Sequence, residues 1–358
     1  MNEMQDASGS ELAIIRSSAR DHIPINGSIE LLPVCNMSCR MCYVKKSPEE
    51  VKSLGGLRSA DEWLDLAEDM KKAGTLFLLL TGGEPLLYSD FKKVYEGLRQ
   101  LGMILTVNTN GTLIDSEWAD YFGENKPRRI NITLYGRDGD TYERLCGYRD
   151  GYEKTVSAVR LLKSRGVDVK LNYSATPENV GDIDDVLALA DELGVPVNIE
   201  SYMYPSPQNM GFERLTPDEA ADIWHKNLIR AIGDGYDHYR ISMNDLIKIR
   251  RSETSTDPDI VCMAATCSFT ISWQGMMKPC VMQNTLGVPV FEKGFDFAWK
   301  ELTDISRNLH IDEKCRSCHL RPLCRICVAN CDTEIQTEDG RYEYLCDLAE
   351  RCFKLIKL

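Results

Sequence analysis

The sequence lacks any stretch of about 18 consecutive apolar residues, so no segment reads as a transmembrane helix. Residues 1–20 are polar apart from Ile14 and Ile15 and have no apolar signal-peptide core. The expected location is therefore the cytoplasm, with no membrane partner. Long basic runs are also missing. The densest basic patch, Lys126-Pro127-Arg128-Arg129, reads as a loop, and the net charge is −13. That balance argues against nucleic acid as the main partner. No G-x-x-x-x-G-K phosphate loop is present.

Cysteine, by contrast, is plentiful: 14 in 358 residues. A secreted chain would use so many for disulfides, whereas a cytoplasmic one uses them for metal. Three lie at 35–42, Cys146 stands alone, and ten fall between 262 and 352. Hydrophobic content of 43% and charged content of 27% suit a globular protein. The length allows one large domain or two moderate ones.

The middle of the chain alternates strand and helix. Ser59-Ala60-Asp61-Glu62 reads as a capping box, after which Trp63, Leu66, Ala67 and Met70 share one helical face. Gly74 closes that helix, and residues 75–80 are apolar on both faces, as a buried parallel strand requires. Phe91, Val94, Tyr95 and Leu98 repeat the helical stripe before Gly102 and a strand at 103–107. Further strands are expected at 129–134, 167–171 and 195–199, the last two after Gly166 and Gly194. Gly74 to Gly102 and Gly166 to Gly194 are both 28-residue steps, the length of one βα unit. With a first strand near 28–32 the count is six, short of a full eight-stranded barrel. The expected fold is α/β, an open (β/α)6 TIM-like partial barrel. The expected division is an N-terminal extension at 1–24, the barrel at 25–215, a helical linker at 216–254 and a cysteine-rich domain at 255–358.

Ligand sites in such sheets lie at the C-terminal strand ends. The first strand leads into Cys35-Asn-Met-Ser-Cys39-Arg-Met-Cys42. A [4Fe–4S] cube takes four ligands, so three close cysteines leave one iron open to another molecule. Zinc is the competing reading, but zinc sites show paired C-x₂-C knuckles and four ligands. The second strand leads into Gly82-Gly83-Glu84-Pro85. Paired glycines permit close backbone approach, the glutamate offers a carboxylate to a cation, and the proline stiffens the loop.

These two motifs together resemble the radical S-adenosylmethionine (radical SAM) enzymes. The resemblance implies that Cys35, Cys39 and Cys42 hold a [4Fe–4S] cluster whose open iron is chelated by SAM. It implies that Gly82, Gly83, Glu84 and Pro85 bind the SAM ammonium group. Asn110, Thr133 and Asn172, at later strand ends, are further expected contacts, with Thr133 and Asn172 near the ribose. Met41 or Tyr43 would pack on the adenine.

The C-terminal cysteines resemble the SPASM extension of this family, which holds two auxiliary [4Fe–4S] clusters. Cys262, Gly275 and Cys280 match its first block, and Cys315, Cys318 and Cys324 its second. The expected next ligand position is Val328, flanked by Cys327 and Cys331. By analogy Cys262, Cys267 and Cys280, with Cys327 or alternatively Cys331, form one cluster. Cys315, Cys318, Cys324 and Cys346 form the other. A zinc ribbon over Cys315–Cys327 is the competing reading, and Cys146 and Cys352 are expected to be ordinary buried thiols.

SPASM relatives mostly modify peptides or proteins. The resemblance implies a peptide substrate and a thioether or carbon–carbon crosslink. The alternatives are a maturase of a protein residue of the sulfatase formylglycine type, a maturase of a small cofactor, or a multi-cluster electron carrier. Sulfatase maturases place an aspartate after the cysteine matching Cys280; here it is Val281, which argues against that activity. About 27 residues precede the first strand. A separate leader-recognition protein is therefore an expected partner, along with a low-potential electron donor such as flavodoxin or ferredoxin.

Overall fold

A computed structural model describes residues 9–206, 209, 211–252 and 263–358. The chain divides into two compact units. One comprises Met1–Tyr173, Glu178–Asn198 and Cys262–Arg307; the other comprises Ser174–Pro177, Ile199–Val261 and Asn308–Leu358.

The first unit is built on a parallel sheet. Its strands are β1 (Asn26–Glu30), β2 (Phe77–Thr81), β3 (Ile104–Thr109), β4 (Arg129–Thr133), β5 (Val169–Ser174) and β6 (Val197–Glu200). They lie in chain order across the sheet, each neighbour joined through a helix, as the six-strand reading expected. β2, β3, β5 and β6 end one to three residues later than their apolar runs suggested, whereas β1 ends two earlier and β4 one earlier. Gly74, Gly102, Gly166 and Gly194 each turn the chain after a helix, and strand pairing begins two or three residues later. The capping box is present: Ser59 Oγ accepts from Glu62 N–H at 3.2 Å, and Glu62 Oε2 accepts from Ser59 N–H at 2.8 Å. The helix Ala60–Lys72 buries Trp63, Leu66, Ala67 and Met70, and the helix Phe91–Gln100 buries Phe91, Val94, Tyr95 and Leu98. These are the expected faces.

On the other side of β1 the sheet continues through β7 (Ser268–Ile271), β8 (Met276–Lys278) and β9 (Val288–Pro289). β7 runs parallel to β1, with Ser28 Oγ donating to Thr270 Oγ1 at 2.8 Å, and β8 and β9 return antiparallel. The pairing of β7 with β1 is why residues 263–307 belong to the barrel unit. At the β7–β8 turn Gly275 has φ +85°, and a Cβ there would come within 2.4 Å of the Phe291 ring. Only glycine fits both the backbone and the space.

The second unit is mainly helical. Pro217–Ile232 packs against Glu343–Ile356, and Tyr236–Ser252 contributes Ile247 to a small core with Leu320 and Ala349. Among the described residues no helix is long and apolar enough to cross a membrane.

Candidate active site

The loop after β1 owes its shape to neighbouring strand ends. Gly83 N–H donates to Leu32 C=O at 2.6 Å and Glu84 N–H to Val34 C=O at 2.9 Å. A Cβ on Gly82, which has φ +150°, would lie 2.4 Å from Leu32 O, and one on Gly83 would lie 2.3 Å from Val34 O. The close approach these glycines permit is therefore first to the cysteine loop itself. Glu84 is completely buried. Its Oε1 accepts from Thr109 Oγ1 at 2.7 Å and Leu86 N–H at 3.1 Å, and its Oε2 accepts from Asn110 N–H at 2.8 Å. Burial raises its carboxyl from an ordinary 4.5 to about 7, against the lowering effect of those donors. Pro85 opens the short turn that places Leu86 under the carboxylate.

Asn110 ties the third strand end to the same loop. Its Nδ2 donates to Asn36 Oδ1 at 2.8 Å and approaches Cys35 Sγ at 3.7 Å, while Thr112 N–H and Oγ1 donate to its Oδ1. Asn36 Nδ2 in turn donates to Thr112 Oγ1 at 2.8 Å. Ser38 N–H donates to Cys146 C=O at 2.7 Å and Arg40 N–H to Leu145 C=O at 3.0 Å, so the residues flanking Cys39 are clamped to the end of the helix Gly139–Cys146.

Each of the three half-buried sulfurs meets donors. Met37 N–H donates to Cys35 Sγ at 3.4 Å and Lys45 N–H to Cys42 Sγ at 3.3 Å. Cys146 S–H and Tyr135 O–H donate to Cys39. The Cys146 donor, opposed by burial and helped by Tyr135 and Lys45, holds the Cys39 thiol below its usual range. Burial pushes Cys35 up to about 12, and the charges of Glu84, Cys39 and Cys42 add to it. Cys42 is also raised by burial. Three thiols in mutual electrostatic reach, each supplied with N–H, O–H or S–H donors, fit a group that takes them as thiolates.

Thr133 and Asn172 are register partners at the ends of β4 and β5, both half-buried. Met41 is buried and Tyr43 half-buried. A buried acid not singled out from the sequence, Glu30, ends β1. Burial raises it to about 7, opposed by Lys278 and the Trp273 N–H.

The C-terminal cysteines distribute unevenly. Cys262 lies outside the described residues. Cys267 is wholly buried among Ile15, Ile25 and Phe77. Cys280 follows β8 by two residues and is half-buried. In the second unit, burial raises Cys315 and Cys324 to about 12. The negative charges that add to this come from Cys324, Cys346 and Cys331 at Cys315, and from Cys346 and Cys318 at Cys324. These interactions link Cys315, Cys318, Cys324 and Cys346, and Cys331 is within the same reach of Cys315. Cys327 and Cys331 bracket the turn Val328–Cys331, and Tyr342 O–H, near Cys331, donates to Asp312 Oδ2 at 3.2 Å. Among the described residues no three His, Cys, Asp or Glu side chains converge tightly enough for a single metal ion. A cube takes its thiolates at separate corners, farther apart than the ligands of one zinc ion.

Sequence reasoning missed Cys146, Tyr135 and Asn36 as neighbours of the cysteine loop. Cys146 is indeed buried, as expected, but it is also a donor to Cys39. No local spacing could have indicated this, because the helix that carries it is brought there by the fold.

Known proteins resemble this chain. The radical SAM superfamily model matches residues 29–190. An AdoMet-dependent heme synthase of Methanosarcina barkeri is 22% identical over 317 residues, covering 84% of this chain and 90% of the relative. AlbA, the antilisterial bacteriocin subtilosin biosynthesis protein of Bacillus subtilis, is 24% identical over 261 residues, covering 73% of this chain but only 55% of AlbA. The crystal structure of Streptococcus suis SuiB bound to precursor peptide SuiA superposes with a TM-score of 0.64 at 17% identity, covering 87% of this chain and 75% of that one. The matched segment holds the three-cysteine loop, the Gly-Gly-Glu-Pro turn and the strand ends that join them, and the chain is an enzyme with a domain of the radical SAM superfamily.

Proposed function

We propose that this enzyme modifies a ribosomally made peptide, forming a thioether or carbon–carbon crosslink. The observation that carries the radical chemistry is the joining of the cysteine loop to the glycine-glutamate turn by Gly83, Glu84 and Asn110. A [4Fe–4S] cluster and SAM, when bound, supply a 5′-deoxyadenosyl radical able to take hydrogen from an unactivated carbon. Cys35, Cys39 and Cys42 would hold the cluster, and Gly82, Gly83 and Pro85 would shape the wall facing the SAM ammonium group. Glu84 would offer its carboxylate to that ammonium group, and its oxygens accept from Leu86 N–H, Thr109 Oγ1 and Asn110 N–H. Thr133 and Asn172 would meet the ribose, and Met41 or Tyr43 the adenine. Auxiliary clusters on the C-terminal cysteines would accept the electron left after hydrogen abstraction or bind a substrate thiolate. The peptide reading is supported by the names of AlbA and of the peptide-bound SuiB. A flavodoxin or ferredoxin would supply the electron, and a separate protein would recognise the leader.

The heme synthase relative, matched over 90% of its length, favours a second reading, maturation of a tetrapyrrole. The deciding experiment incubates the anaerobically reconstituted enzyme with SAM and dithionite, and with either a precursor peptide encoded nearby or an iron porphyrin. Peptide-dependent 5′-deoxyadenosine and a two-hydrogen mass loss in the peptide support the first reading. Turnover only with the porphyrin overturns it in favour of the second.

A further inference from the structure

The C-terminal unit contains a buried cation with half of its hydrogen-bonding edge unused. Arg321 is 7% exposed. Its Nη1 donates to Ile326 C=O at 2.6 Å. Nε and Nη2 are buried and have no partner among the described residues. These two atoms form one edge of the planar guanidinium, and their N–H bonds run parallel. That edge grips anions presenting two acceptor atoms. Arg214, in the same unit, shows the ordinary outcome: its Nη1 and Nη2 meet the two Glu334 oxygens at 2.7 and 2.8 Å. No carboxylate pairs with Arg321 among the described residues.

A buried guanidinium with two open donors is unfavourable unless an anion completes it. The surroundings say which anion. Arg321 lies between Cys318 and Cys324, its backbone N–H donates to Cys318 C=O at 3.1 Å, and Cys324 is the thiol that feels its charge. Nε and Nη2 are closed to solvent, and cluster sulfurs would be built in place beside them.

We propose that the Nε–Nη2 edge of Arg321 receives two sulfur atoms of the iron–sulfur cluster held by Cys315, Cys318, Cys324 and Cys346, and that Arg321 is a positioning residue that raises this cluster's reduction potential. The inference rests on the auxiliary-cluster reading given under Proposed function. Its physical basis is that a thiolate-ligated cluster becomes more negative on one-electron reduction. A fixed cation and hydrogen bonds to its sulfurs stabilise the reduced form more than the oxidised one. A cluster with a raised potential is a better acceptor for an electron released by substrate.

The test uses the full chain with Cys35→Ala, Cys39→Ala and Cys42→Ala, reconstituted anaerobically, so that only auxiliary clusters contribute. Iron and sulfide are counted, and reduction is followed by electron paramagnetic resonance in a redox titration. Adding Arg321→Gln is expected to keep iron and sulfide. At fixed potential it should lower the reduced-to-oxidised ratio of one cluster by at least about tenfold, which is about 59 mV for a one-electron couple. Arg321→Lys, keeping charge without the fork, is expected to fall between the two. Iron retained with an unmoved potential in both variants overturns the inference alone. A parent protein that holds zinc or no iron overturns the cluster reading and the inference with it. If the glutamine variant loses iron, the lysine variant decides in the same way.

Discussion

In the N-terminal loop three thiols come from eight consecutive residues, Cys35 to Cys42, and the backbone around them is bonded to other parts of the barrel unit. Leu32, Val34, Ser38 and Arg40 all make main-chain hydrogen bonds to β2's turn or to the helix ending at Cys146. In the C-terminal unit the four thiols Cys315, Cys318, Cys324 and Cys346 span 32 residues and sit on short turns and a helix end. There the main-chain bonds are local, such as Cys324 N–H to Leu320 C=O at 3.0 Å, and the thiols share a neighbourhood chiefly through charge. One set is framed by the fold before any metal arrives. The other leaves more of its final geometry to the group it binds. A site that must leave one iron open for another molecule needs the firmer frame, because three ligands constrain a cube less than four do.

The largest expected effect tests the functional asymmetry. Cys35→Ala, Cys39→Ala or Cys42→Ala should remove about four irons of about twelve and abolish 5′-deoxyadenosine release. Cys324→Ala or Cys346→Ala should also remove about four irons yet retain SAM cleavage while losing substrate modification. If both sets abolished SAM cleavage equally, the division of labour would be wrong.

The second effect tests the frame. Gly82→Ala and Gly83→Ala bring a Cβ to 2.4 and 2.3 Å from backbone oxygens that are held in the loop. Each should destabilise the chain by about 2–4 kcal/mol in urea unfolding and lower occupancy of the first cluster only. Loss of auxiliary iron instead would show that the two regions are not independently framed.

A third, of similar size, concerns pH. Glu84 has its folded value raised from 4.5 to about 7 by burial. The folded state thus binds the proton more tightly than the unfolded one. Its contribution is fully present below about pH 4.5 and is lost as pH rises through about 7. For this shift the change is at most about 3 kcal/mol. Urea unfolding of the cluster-free chain at pH 5 and pH 8 should therefore show a larger loss for wild type than for Glu84→Gln. Equal losses would mean that the carboxyl titrates normally.

The smallest effect concerns Cys146. Cys146→Ala removes the S–H donor to Cys39 and one buried sulfur, costing about 1–2 kcal/mol. The potential of the first cluster should fall slightly while its iron content is unchanged. An unmoved potential would return Cys146 to the role of a packing residue.

The barrel was legible because its signals are local. Buried strands are continuous apolar runs, helices keep one apolar face, and glycines punctuate them at regular intervals. The β7–β9 hairpin was not legible. Its strands are two to four residues long, and its pairing with β1 is set by Gly27, where a Cβ would come within 2.4 Å of the Phe269 ring. Nothing in the sequence around 270 announces that distant partner. The same rule governs the site. Cys35, Cys39, Cys42 and Gly82–Pro85 were visible as short motifs. The buried state of Glu84, the Asn36–Asn110–Thr112 network and the Cys146 donor depend on elements that meet only in three dimensions.

The bond from Gly83 to Leu32, with the brace from Glu84 to Asn110, also carries a consequence for synthesis. The loop that holds Cys35 is made early by the ribosome, but the residues that give it shape are made later, the last of them Leu145 and Cys146. At about 5–20 residues per second the thiols spend several seconds outside any frame. Metal loading is thus ordered in time, after the helix that ends at Cys146 has been delivered.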